Sequence, residues 1–397
     1  MRFRRNALGF VGAVTLVAAM VLPATTAGAQ TTYDVSVGQF LEGAPAESMR
    51  FLPYDIDVHQ GDTLHFQSLS FHTATMLPAG QGVVEWFDAN ATYGTSQPWA
   101  PVVPDPDDGQ AAYKFGNSVL NPSSTSCGGA GQPACSYDGT TVLNSGTPAF
   151  FGENLDFSAT VNASAGSSFW VVCIWHGPNM RMKVDVVAAS APATTLAEAD
   201  AQSAAALSQD TDSAAALHER FSGRQSFHTR TNGTRVWDAW AGVGNAHVEL
   251  FGFYPRTLRI ARRDTVQWHF DSMIFEDHTV TFPIDKARSI ANAIGFVCDP
   301  DGDAGPGPDN PPDMEAPPFC NNPAQLEIEF SNRFIPQLGD GTFMGRDLES
   351  SGVRGSNSAL LVGVGNYRLR FGASCPGEGV SDLCMIHTFM RGKVVVG

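Results

Sequence analysis

The chain has 397 residues, 43 % of them hydrophobic and only 16 % charged, with Gly 40 and Pro 25. That is enough for two domains of ordinary size, each with its own core, and too little charge for long solvated helices to dominate. A formal net charge of −16 argues against nucleic acid and anionic lipid surfaces as partners, and suits solubility or a basic partner instead.

The first element, residues 1–29, reads as an export signal. MRFRR is a basic n-region, ALGFVGAVTLVAAMVL an apolar h-region, and AGA before Gln30 a small-residue cleavage site. A membrane anchor is the competing reading, but the apolar run is short for a span, and no later segment is long and apolar enough to cross a membrane. Arg4 and Arg5 hint at the twin-arginine route, which carries folded proteins. The expected location is therefore secreted or periplasmic. Loss of the signal removes Arg2, Arg4 and Arg5 and no acid, leaving a still more acidic chain. Seven cysteines in an oxidising compartment leave at least one outside an intramolecular disulfide.

After the signal, four blocks occur twice in the same order. YDVSVG (33–38) resembles WDAWAG (237–242). FLPYDIDVHQGDTLHF (51–66) matches FYPRTLRIARRDTVQW (253–268), with Phe51 and Phe253, and Asp62 and Asp264, both 202 residues apart. FHTATMLP (71–78) resembles DHTVTFP (277–283), and CIWHGPNMRMKVDVV (173–187) resembles CMIHTFMRGKVVV (384–396). Four blocks in one order predict two homologous domains, 31–189 and 232–397. Ile56, Val58, Leu64 and Phe66 alternate with polar residues around the turn Gly61–Asp62, and Leu258, Ile260, Val266 and Trp268 repeat this around Arg263–Asp264. The β-branched ends VDVV and KVVV suit buried strands. The expected fold class is all-β, as two tandem sandwiches.

The intervening segment, 190–231, is Ala-rich. Thr195 with Glu198 forms a capping-box pattern, and the composition predicts a helix from Leu196 to Arg220; a disordered linker is the alternative, because the apolar stripe is thin. Each domain also carries a long insertion between its histidine and cysteine blocks. The first holds PDPDDG with Cys127 and Cys135, the second Cys298 and Cys320, and both are expected as loops stapled by local disulfides. Asp299, Asp301 and Asp303 resemble the start of a calcium loop, but Ala304 stands where its Gly belongs and Asn310 where its Glu belongs.

The chemistry lies in the late blocks. Two imidazoles and a thiolate, with a distant thioether, suit copper: sulfur favours Cu(I), and imidazole tolerates both oxidation states. Cys, His and Met come from one strand end and its loop, and the second His from a distant strand. The candidates are His72, Cys173, His176 and Met180, then His278, Cys384, His387 and Met390. Met182 rivals Met180, but the repeat aligns Met180 with Met390. His59, His65, His218, His228, His247 and His269 lack a repeat partner and are read as non-ligands.

This pattern of a lone upstream His and a late Cys-x2-His-x2–4-Met before a closing strand resembles the cupredoxin family. The resemblance implies Greek-key β-sandwiches, type 1 (blue) copper in each domain, single-electron transfer to a redox partner protein, and exposed imidazole edges at His176 and His387; the neighbouring Trp175, Pro178 and Phe389 read either as a docking patch or as simple loop packing. The second copper is open to a rival account in which Cys375 pairs with Cys384, since FGASC (371–375) mimics FWVVC (169–173). Multidomain relatives include oxidases, which need His-x-His pairs, and nitrite reductases, which need a His directly before the ligand Cys. This chain has no His-x-His, and Val172 and Leu383 precede the cysteines. The expectation is an electron carrier rather than a catalyst. Copper sequestration or delivery, or a structural module, are the alternatives.

Overall fold

In the computed structural model, residues 30–104, 113–291, 295–298, 326–330, 333–355, 365–377 and 379–397 are described. The export signal, the twin-arginine pair, the acidic run of the second insertion and Cys320 lie outside them. No described helix is long and apolar enough to cross a membrane.

Alternating burial builds the strands. Thr32–Leu41 buries Tyr33, Val35 and Val37, and Leu155–Val161 buries every second residue, as a strand with one face on a core requires. The first domain is a two-sheet sandwich. One sheet runs Ala46–Leu52, Thr32–Leu41, Thr63–Ser68, Leu155–Val161, Cys135–Tyr137, and the other Asp55–His59, Arg181–Val187, Ser168–Val172, Thr75–Met76, Leu143–Asn144. The second domain repeats this order. Its sheets run Val248–Tyr254, Arg235–Gly244, Thr265–Asp271, Tyr367–Phe371, Thr342–Phe343, and Thr257–Ile260, Arg391–Val396, Val380–Leu383, Thr281–Phe282, Glu349–Ser350. Tandem β-sandwiches are thus the observed fold class.

The two domains are not beads on a string. Ala46–Leu52 pairs antiparallel with Val248–Tyr254, setting Ala46 opposite Leu250, Glu47 opposite Glu249 and Ser48 opposite Val248, so one eleven-stranded sheet crosses both domains. A separate core for each domain is also not what forms: one buried cluster contains Val35, Phe66 and Val184 together with Val266, Trp268 and Val394.

The Ala-rich segment is a helix, Leu196–Ser222, begun by a capping box: the Glu198 N–H donates to Thr195 Oγ1 (3.2 Å), and the Thr195 N–H to Glu198 Oε2 (2.8 Å). It lies on the outer face of the joined sheet, where Ala214 and Phe221 pack with Leu41, Trp240, Val248 and Leu250. Asp210 anchors it, accepting from Ser48 Oγ (2.6 Å) and pairing with Arg50 Nε (2.9 Å).

The insertions hold more than loops. Helices Val83–Asn90 and Ile284–Ala291 follow the two histidine blocks, and Leu326–Phe330 of the second insertion pairs with Tyr113–Lys114 of the first. Cys127 and Cys135 form a disulfide. The bridge expected between Cys298 and Cys320 falls on side chains outside the described residues.

Candidate metal centres

Each centre begins with a strand end. Cys173 follows Ser168–Val172, and the loop returns at once, with the Cys173 N–H donating to the Met180 carbonyl (3.1 Å). Cys384 follows Val380–Leu383 and donates likewise to Met390 (3.3 Å). These bonds hold His176 and His387 in short loops beside their cysteines. The upstream histidines lie just before Thr75–Met76 and Thr281–Phe282, the short strands that pair with the cysteine-bearing strands. Their neighbouring threonines explain the repeated His-Thr pair. The Thr73 N–H points at Cys173 Sγ (3.4 Å), and Thr73 Oγ1 accepts from the Ile174 N–H (3.0 Å). Thr279 does the same for Cys384 (3.3 Å) and Met385 (2.6 Å).

Three donors converge in each domain, with ligand atoms all within 4.8 Å of one another: His72, Cys173 and His176, and His278, Cys384 and His387. Cys173 Sγ lies 3.3 Å from His176 Nδ1 and 3.7 Å from His72 Nδ1. Cys384 Sγ lies 3.8 Å from His387 Nδ1 and 3.9 Å from His278 Nδ1, a looser cluster. Met180 and Met390 are buried in the same loops. Met182 sits in the strand Arg181–Val187 as a core residue opposite Val171.

A thiolate between two imidazoles is a donor set suited to copper. Burial disfavours the Cys173 thiolate, but the His176 charge and hydrogen bond outweigh it and hold the thiol well below its ordinary range. Cys384 is held down in the same way, chiefly by hydrogen bonds from His278 and His387. Both sulfurs are therefore biased toward the thiolate, the form that binds a metal.

Three carboxylates complete the site, and none carried a motif. His72 Nε2 lies 2.8 Å from Glu47 Oε1, and His278 Nε2 lies 3.0 Å from Glu249 Oε1. The carboxylates fix both rings so that Nδ1 faces the sulfur. Glu276 has no such single partner. Its Oε2 lies 2.8 Å from His176 Nε2 and its Oε1 lies 3.0 Å from His387 Nε2. Burial opposes its charge, but the two imidazolium partners, His387 first, hold it well below the usual carboxylate range. Glu47 and Glu249 stand 202 residues apart, a repeat signal in plain view; Glu276 stands where the first domain has Ser70, and had no signal.

This geometry corrects the expected surface. The imidazole edges of His176 and His387 face Glu276, with side chains only 7 % and 18 % exposed. Trp175 is buried against Phe71 and Phe115, and its indole N–H donates to Thr147 Oγ1, so it is no part of a docking patch; Phe389 is exposed. The domains meet at this loop. The Phe275 N–H reaches the His176 carbonyl (3.4 Å), and Asn179 Nδ2 donates to the Met273 carbonyl (2.8 Å). Gly177 has φ +69° and leaves the Phe275 ring the space that a side chain would take.

Beside the bridge lies a cavity of about 310 Å³, mostly apolar. Phe150 and Trp175 come to it from one domain, Phe251 and Phe389 from the other, and His176, Glu276 and His387 reach its wall. The rival disulfide does not form: Cys375 and Cys384 are both free, and Cys375 Sγ points at the Phe343 carbonyl (3.0 Å). The physical reason is register. FGASC ends the strand Tyr367–Phe371, which corresponds to Leu155–Val161 and not to the ligand strand.

No family model matches the chain, and no curated protein matches it. Solved structures that resemble it include the blue copper oxidase from Nitrosomonas europaea (9 % identity, 92 % of this chain, 86 % of that one, TM-score 0.17). Two others are the Cu-containing nitrite reductase from Thermus scotoductus SA-01 (11 % identity, 92 % and 68 %, TM-score 0.20) and the multicopper oxidase mgLAC (10 % identity, 93 % and 86 %, TM-score 0.16). Those proteins are enzymes, and the expectation of a carrier rather than a catalyst is corrected accordingly. The missing His-x-His and His-Cys motifs excluded two particular copper layouts, not catalysis. Two sandwiches of the same strand order, each closing a His–Cys–His cluster at the end of a strand, give this chain a tandem, cupredoxin-like β-sandwich fold.

Proposed function

We propose that the chain is an exported copper oxidoreductase that binds type 1 copper in both domains, each centre taking up and giving up one electron. His72, Cys173 and His176 with Met180 would hold one ion, and His278, Cys384 and His387 with Met390 the other. The observation that carries the reading is the convergence of one cysteine sulfur and two Nδ1 atoms in each domain, every ring held from behind by a buried carboxylate.

Copper supplies the one-electron change between Cu(I) and Cu(II). The protein supplies rigidity. Glu47, Glu249 and Glu276 orient the rings, the Thr73 and Thr279 amides point at the sulfurs, and burial excludes water. Such a frame resists rearrangement when charge changes, which is what fast electron exchange needs. The apolar cavity against His176 and His387 is where a reacting molecule would approach both centres, and a redox partner protein would complete the cycle.

The test is copper quantitation with a visible spectrum of the oxidised chain. A strong thiolate-to-metal band with two coppers per chain is expected. One copper would confine the reading to one domain, and copper-free protein after loading would sink it.

A further inference from the structure

Resting on that reading, we infer that Glu276 is a wire between the two centres: a buried carboxylate through which they exchange electrons directly. The other two rings contact separate carboxylates, His72 on Glu47 and His278 on Glu249, which face each other across the domain junction only through backbone strand pairing. His176 and His387 instead meet on one carboxylate, 2.8 Å from Oε2 and 3.0 Å from Oε1. The route from one metal position to the other is an imidazole ring, a hydrogen bond, three carboxylate atoms, a second hydrogen bond and a second ring. It contains no jump through space.

Three further observations fit a conduit. Glu276 is only 6 % exposed, and each of its two oxygens is taken by one ring. Its loop is clamped to the other domain by the Phe275 N–H on the His176 carbonyl and by Asn179 Nδ2 on the Met273 carbonyl. And the repeat is broken here: the first domain has Ser70, whose Oγ donates to Glu47 Oε2 (3.0 Å), so one carboxylate serves both rings where a strict repeat would supply two. The step balances simply. The electron lost at one centre is the electron gained at the other, and no bond is made or broken.

The experiment compares the full chain with Glu276→Ala and the near-isosteric Glu276→Gln. In metal-free protein, the strongly downfield imidazole N–H protons of His176 and His387 are expected in the proton NMR spectrum, and lost in Glu276→Ala, while those of His72 and His278 remain. In the oxidised two-copper protein, electron paramagnetic resonance is expected to show exchange coupling between the two spins, falling to the purely dipolar value in Glu276→Ala. Glu276→Gln should lose most of it too, because an amide nitrogen cannot accept from the second ring. Because Glu276 also orients both rings, each variant is loaded to two coppers per chain by titration before the coupling is compared. Undiminished coupling in both variants with two coppers bound would overturn the wire alone; fewer than two coppers in the parent chain would overturn the proposed function and the wire with it.

Discussion

Each metal-facing ring is set by residues that carry no metal chemistry. Gly38 and Gly242 have φ +71° and +70°, at the bulge of equivalent strands, and a Cβ on either would lie 2.0 Å from the Nε2 of His72 or His278. Left-handed backbone alone costs a non-glycine residue roughly 1–2 kcal/mol, and the clash adds to it. Gly38→Ala should therefore lower thermal stability and weaken copper at the first centre only; tight binding at both centres would refute the close approach. Cys375→Ser should leave two coppers, whereas Cys173→Ser and Cys384→Ser should each remove one, read by metal analysis. His387 adds a pH dependence. Burial lowers its pKa, but the Glu276 charge and the Cys384 hydrogen bond raise it from 6.5 to about 9. Protonated His387 thus contributes stability in metal-free protein that is fully present below about 6.5 and lost as pH rises through about 9. Copper competes for the same ring, so its affinity at the second centre should rise across that interval with proton release, measurable by calorimetry in buffers of different ionisation enthalpy. The residues proposed as ligands are legible because Cys-x2-His recurs in both late blocks with a Met three or four positions further on. Glu47 and Glu249 were legible only in principle, as a repeated acid in a strand, and Glu276 not at all, because its role arises between domains.

Among the elements, the spacer helix shows what local sequence can and cannot convey. Its capping box and Ala-rich body were readable, and Thr195→Ala should cost about 1 kcal/mol. Its docking was not, because the face it covers is made when two strands from different domains meet. Asp210 is the contact that fixes it, with a side chain 2 % exposed against Arg50. Removing one partner of such a buried pair typically costs about 3–5 kcal/mol, so Asp210→Ala should unfold at markedly lower denaturant concentration with its copper band intact. A change in that band would mean that the helix bears on the metal centres. The ligand-strand confusion at Cys375 has a similar cause. FGASC and FWVVC share a strand ending, and only sheet order separates them.

For the molecule as a whole, a shared sheet and a shared core predict one unfolding event. Calorimetry of the full chain should give a single cooperative transition; two well-separated ones would show that the interface contributes little. Periodicity in the sequence reveals which face of a strand is buried, but not which edge finds a partner. That is why two sandwiches could be foreseen and their fusion could not.

The pairing of Ala46–Leu52 with Val248–Tyr254 has one more consequence. Residues 46, 47 and 48 face 250, 249 and 248, and these are their own counterparts in the repeat, taken in reverse. The junction is isologous: each half presents the same edge to the other about a local dyad. Two copies of a single-repeat ancestor could have closed the same contact as a homodimer, and gene fusion would then have freed one half to acquire an acid the other lacks. A chain carrying one repeat alone should accordingly sediment as a dimer, and a stable monomer would count against that history.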